Sequence, residues 1–217
     1  MNCSHPNETL ESLNETKAAL ESEIAELQAQ LELPFEDVTE DGWCYDVVWD
    51  VYQKGLMTGM NATTFEPETT LNRAFMAAVL YRRVGYPVME YSDIFPDVPS
   101  DEWYTQCVMW AKDAGIILGY DDGTFGPTDS LNREQLCTIL WRCASEMDGL
   151  DNSARASITD YADAENISDF AVEAIQWCEA MGILNYRDGR IAAWEEATRA
   201  DCAWMISKYL EATGQER

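Results

Sequence analysis

The chain has 217 residues, and its 40 aspartates and glutamates outnumber its 14 lysines and arginines to give a formal net charge of −26. A nucleic-acid-binding face needs basic side chains that release phosphate counterions, so this charge argues against nucleic acid and anionic membrane surfaces as partners. Hydrophobic residues make up 47% of the chain and aromatic residues 11%, which is enough for a core and argues against a disordered acidic tail.

Little in the composition supports common catalytic or membrane chemistry. The single histidine is His5, and its isolation removes most histidine-based catalysis and most zinc chemistry. No apolar run approaches the roughly 20 residues of a membrane span. The first residues also lack the basic and apolar regions of a secretory signal. We therefore expect no membrane insertion and no signal peptide in this chain.

The seven cysteines form no C-x-x-C pair and do not recur at matching positions in the repeats described below. We therefore expect buried reduced thiols and not a disulfide framework. The residues are Cys3, Cys44, Cys107, Cys137, Cys143, Cys178 and Cys202.

Residues 8–32 have apolar positions spaced alternately three and four apart, which predicts a short coiled coil of about three heptads. The positions are Leu10, Leu13, Lys17, Leu20, Ile24, Leu27 and Leu31. Ile24 at an a position with leucines at d favours a dimer, whereas Lys17 leaves a trimer open. We assign residues 1–33 to this oligomerisation helix, which self-associates through residues 8–32. The alternative is a lone amphipathic helix that lies on the following domain.

The rest of the chain contains three copies of one motif of about 50 residues. LNRAF at 71–75 matches LNREQ at 131–135, and the same offset of 60 residues holds throughout the first two copies. ATRAD at 197–201 belongs to a third, divergent copy. We place the copies at 34–86, 94–146 and 160–212. The connector after the second copy is polar and longer than the first, and we expect it to be mobile.

Each copy is predicted to be a helix–loop–helix. Three glycines follow the last turn of the predicted first helix, where a residue with positive φ usually ends a helix. Three or four residues later, a second set of positions is predicted to have the same left-handed backbone. The second helix then begins after a strong N-cap residue. The first set is Gly55, Gly115 and Gly182; the second is Gly59, Gly119 and Asn185; the N-caps are Asn72, Asn132 and Thr198. Because a single copy can bury only one stripe per helix, we predict an all-α, pseudo-threefold bundle of the three copies.

An arginine follows each N-cap, at Arg73, Arg133 and Arg199. A cation at the first helical position opposes the helix dipole at a cost of about 0.3–1 kcal/mol, so a threefold repetition points to a site or an ion pair. One interpretation is an anion pocket made of the guanidinium and the free N–H groups of the helix start. The other is an ion pair with an acid of a neighbouring copy, and both can hold at once. The candidate acids are Asp37, Asp97 and Asp163.

The three copies also differ in the residue that could complete a capping box at the start of the second helix. Gln135 can close a capping box, Asp201 does so less well, and Phe75 cannot. Trp43 and Trp103 are candidates for stacking on sugar faces, together with Tyr120 and Tyr186, although the two tryptophans could equally be core anchors.

These residues resemble the S-layer homology domain family. The second copy carries FPDV at 95–98, GIILGYDDGTFGP at 115–127 and NREQ at 132–135, and the first copy is similar. The resemblance implies a three-copy prism that binds a secondary cell-wall polysaccharide of bacteria, often pyruvylated, in grooves between copies. It implies ligand binding by the arginines and by residues near the loop. The implied ligand-binding set is Arg73, Arg133, Arg199, Trp43, Trp103, Tyr120, Gly119 and Asp122.

The third copy departs from the family pattern, with Phe170 in place of the tryptophan and Ile191 in place of the loop phenylalanine. We therefore expect at most two good grooves, with the one that depends on Arg199 the most doubtful.

The favoured function is a non-catalytic module that anchors a protein to the bacterial cell wall. The alternative is a structural or adhesive protein on a bacteriophage virion, which the lack of a secretory signal would suit. An enzyme is disfavoured because no residue pair, phosphate loop or metal cluster points to catalysis, and no cofactor is implied.

Overall fold

The computed structural model describes residues 14–21 and 33–215. Residues 14–21 are helical and exposed. Most of the predicted coiled coil lies outside the described residues, so self-association through 8–32 stays a prediction. The described residues after position 33 form six α-helices and no strand: α1 (Tyr45–Gln53), α2 (Arg73–Arg83), α3 (Thr105–Asp113), α4 (Arg133–Arg142), α5 (Val172–Ala180) and α6 (Arg199–Thr213).

The second helix of each copy packs against the first helix of the next copy. Helix α2 packs on α3, α4 packs on α5, and α6 returns to pack on α1. Because the last pairing closes a ring, the predicted pseudo-threefold bundle is confirmed and the fold is all-α. Phe65, Phe125 and Ile191 occupy equivalent loop positions and are buried in one shared core.

Three backbone hydrogen bonds link the copies just before their second helices. The N–H of Leu71 donates to Ala197, that of Ala197 to Leu131, and that of Leu131 back to Leu71, each at 2.8 Å. All three residues are fully buried. A buried backbone group needs a partner, and here each copy provides one for another copy, so the helix starts converge on the pseudo-threefold axis.

Most of the predicted helix ends are confirmed. Gly55, Gly115 and Gly182 have φ values of 66°, 73° and 68°. At the second set of positions only Gly119 has a positive φ, at 86°, so the prediction of left-handed backbone at Gly59 and Asn185 was wrong. Gly59 is needed for space instead, because a Cβ there would lie 2.5 Å from the ring of Phe35.

The N-cap predictions hold in all three copies. The side chains of Asn72, Asn132 and Thr198 each accept the N–H of the residue three positions later. The side chains of Gln135 and Asp201 both return a bond to the cap, so two copies have complete capping boxes.

The second connector, for which its composition predicts mobility, is hydrogen-bonded to the bundle. The indole of Trp141 donates to the carbonyl of Asn152 at 3.0 Å, and the Asn152 amide donates back to the Trp141 carbonyl at 3.0 Å. Further along, the N–H of Ala156 donates to Gln176, and Ile158 is buried. Reciprocal bonds of this kind give polar residues fixed partners, which composition alone does not reveal.

The thiols within the described part of the chain are buried and unoxidised, at Cys44, Cys107, Cys137, Cys143, Cys178 and Cys202. Burial raises the pKa of Cys202 to about 12, although Arg199 acts in the opposite direction. Within residues 14–21 and 33–215, no helix combines the length and apolar character that a bilayer crossing requires.

Candidate functional site

The arginine that follows each N-cap reaches into a loop of the next copy. The Nε atom of Arg73 donates to the carbonyl of Phe125 at 2.7 Å. Arg133 makes the same bond to Ile191 at 3.0 Å, and Arg199 closes the ring to Phe65 at 2.8 Å. The three arginines are only 6%, 2% and 3% exposed. Burial lowers the pKa of each arginine, but an arginine remains charged in a protein.

The loop residue whose carbonyl accepts the arginine also donates its own backbone N–H to an aspartate of its own copy. Asp37 accepts the N–H groups of Phe65 and Glu66 at 2.8 and 2.7 Å. Asp97 and Asp163 make the equivalent bonds in their copies. These aspartates therefore fix the loop backbone. The predicted ion pairs between them and the arginines were wrong.

The N–H groups at the start of the second helices are occupied. The N–H of Arg73 donates to the backbone carbonyl of Asp129 at 3.0 Å, and the N–H of Ala74 donates to the backbone carbonyl of Pro127 at 3.0 Å. The equivalent groups of α4 and α6 donate to carbonyls of the next copy in the same way. The free N–H groups assumed for an anion pocket are thus absent from these three helices. The reason is that ring closure buries the helix starts, where each N–H must find a protein acceptor.

The surroundings of the three guanidinium groups differ. Arg133 is ion-paired with Asp201 at 2.8 Å and donates to the Asn185 side chain at 2.7 Å. Arg199 donates to the carbonyl of Thr58 at 2.7 Å and lies 4.5 Å from the ring centre of Phe65. Neither Arg73 nor Arg199 forms an ion pair with a described carboxylate. Only Arg133 thus matches the ion-pair interpretation, and its partner is on α6.

Arg73 is covered by an aromatic ring. Its guanidinium lies 4.5 Å from the ring centre of Tyr120, which is itself 38% exposed. The predicted ligand residue Tyr120 therefore separates the predicted ligand residue Arg73 from solvent.

A groove between the third and first copies, here called the 3–1 groove, has a volume of about 750 Å³. Trp43 of the first copy and Trp204 of α6 stand in its wall with ring centres 6.3 Å apart. The charged residues of the groove are Glu68, Arg187, Asp188, Arg190, Glu195 and Asp201.

The two arginines of the 3–1 groove are paired within it. Arg187 reaches Glu195 at 2.8 Å and also contacts Asp201, and Arg190 reaches Glu195 at 3.0 Å. Burial would raise the pKa of Asp201, but the charge of Arg133 and further hydrogen bonds outweigh it, so the pKa lies below its usual value. Hydrogen bonding to Arg187 is the main cause of a lowered pKa at Glu195.

The equivalent junction between the first and second copies, the 1–2 groove, is divided. Its outer part, of about 290 Å³, is lined by Trp103, and its inner part, of about 20 Å³, is lined by Arg199. Phe75 and Arg82 line both parts. Phe75 packs against Trp103 with ring centres 5.2 Å apart, so the residue that breaks the capping box also narrows this groove.

The structure brings some of the predicted ligand residues to grooves and not others. Trp43 and Trp103 are each 56% exposed, so the alternative that they are core anchors was wrong. Gly119 packs against Phe95, and a Cβ there would lie 2.6 Å from its ring. Asp122 accepts the N–H and the hydroxyl of Thr124 at 2.9 and 2.7 Å, which holds the loop turn and lowers its pKa.

Sequence reasoning missed most of the 3–1 groove. Arg187 and Arg190 stand where the second copy has Asp121 and Thr124, so aligning the copies would have revealed a local change of charge. Trp204 had no such signal, because a tryptophan within an amphipathic helix is usually a core residue.

Comparison with known proteins identifies the class. The S-layer homology domain matches residues 34–77, 94–137 and 160–203. An amylopullulanase of Thermoanaerobacterium thermosulfurigenes is 33% identical over 181 residues, which are 83% of this chain and 10% of the relative. S-layer protein EA1 of Bacillus anthracis is 33% identical over 133 residues, 60% of this chain and 14% of the relative. An S-layer protein of Bacillus licheniformis is 33% identical over 145 residues, which are 64% of this chain and 16% of the relative.

The chain belongs to the S-layer homology domain family. It spans 10% to 19% of the length of the first three relatives, all of which carry enzyme names. Family membership and the S-layer relatives support anchoring at the bacterial cell surface.

Proposed function

We propose that the chain is a non-catalytic module that binds a secondary cell-wall polysaccharide of bacteria in the grooves between its copies. The observation that carries this proposal is the 3–1 groove. Its volume of about 750 Å³ falls in the range of small-molecule sites. The tryptophans in its wall offer rigid apolar faces with a polar edge, which suits the faces of sugar rings.

The tryptophans and the arginines have different roles in this proposal. Trp43 and Trp103 stack on sugar rings in the two grooves. Arg199 and Arg82 provide positive charge in the 1–2 groove, where an acidic sugar such as a pyruvylated one would be accepted. Arg199 is buried behind the inner part of that groove, which at about 20 Å³ has room for about one water molecule, so the sugar itself would meet Arg82 in the outer part.

The remaining predicted residues support the grooves indirectly. Arg133 holds Asn185 and Asp201 from behind the 3–1 groove. Arg73, Tyr120, Gly119 and Asp122 keep the loop of the second copy in place. We propose positioning roles for these five residues, with no direct contact to the glycan.

The proposal is tested by sedimenting the protein with purified Gram-positive cell walls before and after chemical removal of their polysaccharide. Binding should depend on the polysaccharide, and Trp43→Ala with Trp103→Ala should reduce it strongly. Trp194→Ala is the matched control, because Trp194 is 66% exposed and lies outside both grooves. The proposal is contradicted if the chain sediments equally with walls stripped of polysaccharide. It is also contradicted if Trp194→Ala reduces sedimentation as much as Trp43→Ala with Trp103→Ala does.

Self-association through residues 8–32 would add to this function. Joining several weak binding modules raises the effective concentration of each at the wall. Sedimentation equilibrium of the full chain and of a chain lacking residues 1–32 tests it. An unchanged mass per particle would show that the segment does not associate.

A further inference from the structure

Two carboxylates of the 3–1 groove have no partner among the described residues. Glu68 and Asp188 both line the groove, and both are exposed. They come from different copies, because Glu68 belongs to the first copy and Asp188 to the loop of the third. An occupant of the groove would therefore face negative charge from two copies.

The positive charges of the groove are already used. Arg187 and Arg190 share Glu195, and Arg187 also pairs with Asp201. Arg187 and Arg190 face two paired carboxylates, and Arg133 also pairs with Asp201 from behind the groove, so one positive charge is left over. The carboxylates of Glu68 and Asp188 outweigh that charge, so the groove carries a net negative charge that repels an acidic sugar. The formal net charge of −26 adds to that repulsion at long range.

A metal ion does not fit this arrangement. No group of three or more histidine, cysteine, aspartate or glutamate side chains in residues 14–21 and 33–215 is placed to hold one. Divalent cations in proteins are usually held by several oxygen ligands. An ammonium group needs fewer, since a single carboxylate can accept a charge-assisted hydrogen bond from it.

We infer that the 3–1 groove binds a hexosamine residue with a free amino group, held between Trp43 and the carboxylates of Glu68 and Asp188. The apolar face of the sugar packs on the indole, and its ammonium group lies towards the carboxylates. This inference rests on the proposed function and gives the two grooves different ligands. The 1–2 groove, lined by Arg82 and Arg199, would take acidic sugars, whereas the 3–1 groove takes amino sugars.

The test uses calorimetry on the full chain with three soluble tetrasaccharides: fully de-N-acetylated chitosan, N-acetylated chitin and galacturonate. We expect the de-N-acetylated tetramer to bind about tenfold more tightly than the N-acetylated one, because exposed charge pairs contribute only modestly to binding. The preference should shrink as salt is raised. The galacturonate tetramer should not compete with the de-N-acetylated one.

Two double variants locate the effect. Glu68→Gln with Asp188→Asn should abolish the preference for the amine. Glu90→Gln with Asp113→Asn removes the same charge at exposed positions outside the groove and should leave the preference intact. Trp43→Ala should weaken binding of both chitin-type tetramers.

The results also separate this inference from the proposed function. If the chain sediments with cell walls but shows no preference for the amine, the inference is overturned and the proposed function stands. It is also overturned if the groove variant keeps the preference, or if both double variants lose it equally. If the tetramer binds with the expected preference but cell walls do not sediment the chain, the inference stands and the proposed function fails.

Discussion

Replacing Arg133 by methionine should destabilise the fold more than the same replacement of Arg199. Arg133→Met leaves the carboxylate of Asp201, which is 1% exposed, without its buried partner. Removing one member of a buried ion pair costs about 3–5 kcal/mol, and the remaining contact between Asp201 and Arg187 places this loss at the lower end of that range. Arg199→Met leaves only the carbonyls of Phe65 and Thr58 without a donor, for which about 1–3 kcal/mol is expected. Urea denaturation at pH 7 should therefore separate the two variants by about 1 kcal/mol.

The pH dependence provides a second readout. The folded pKa of Asp201 lies below its usual value of 3.8, so its contribution is present above that value and is lost as the pH falls through the folded pKa. Arg133 is the largest of the causes that lower this pKa, so its removal raises the pKa relative to wild type. The stability gap between wild type and Arg133→Met should therefore narrow as the pH falls from 7 to below 3.8. The gap for Arg199→Met should change little, because its side chain pairs with no described carboxylate.

A compensating variant makes the reasoning refutable. Arg133→Met with Asp201→Asn removes the buried charge but keeps an oxygen that can accept the cap N–H of Thr198. This double variant should be more stable at pH 7 than Arg133→Met alone. If it is less stable, or if Arg133→Met costs no more than Arg199→Met, the arginine is not held by the charge of Asp201 and the argument fails.

Three further predictions follow from backbone geometry and burial. Ala192 has a φ of 55° at the position where the second copy has Gly126, so Ala192→Gly should stabilise the fold by about 0.5–1 kcal/mol in urea denaturation, and a loss of stability would contradict this. Gly119→Ala should destabilise more than Gly55→Ala, since both have positive φ but only Gly119 lacks room for a Cβ; thermal unfolding checks it, and equal midpoints would refute the steric argument. The six described cysteines should react with a thiol reagent at pH 8 only after unfolding, and rapid labelling of Cys202 in the native state would show that its burial is wrong.

The periodic parts of the fold could be predicted from the sequence because they depend on local chemistry. The N-caps at Asn72, Asn132 and Thr198 and the left-handed glycines follow from the bonding and steric needs of a helix end. Three copies with one apolar stripe per helix also required a shared core. The direction of the arginine side chains could not be predicted, because their acceptors are backbone carbonyls of another copy, and any residue type presents a carbonyl.

The lining of the two grooves could also be predicted only in part from the sequence. Trp43 and Trp103 could be proposed as sugar contacts, but the sequence could not decide whether each was buried. Arg187 and Arg190 form ion pairs across the loop of the third copy, and those pairs depend on how the loop folds back on α6. The motif comparison marked the groove that depends on Arg199 as doubtful, and Arg199 does line the narrowed 1–2 groove, but the narrowing comes from Phe75 and not from the departures of the third copy.

The arginines and the grooves answer to different constraints. Each post-cap arginine donates to a backbone carbonyl of the next copy, so its partner survives almost any change in the side chains of the loop. The loop side chains are therefore free to differ among copies without loss of the ring. That freedom allows Tyr120 to cover Arg73 in one loop while Arg187 and Arg190 line an open groove in another. A closed ring built on backbone contacts can thus present grooves of unlike charge on one scaffold.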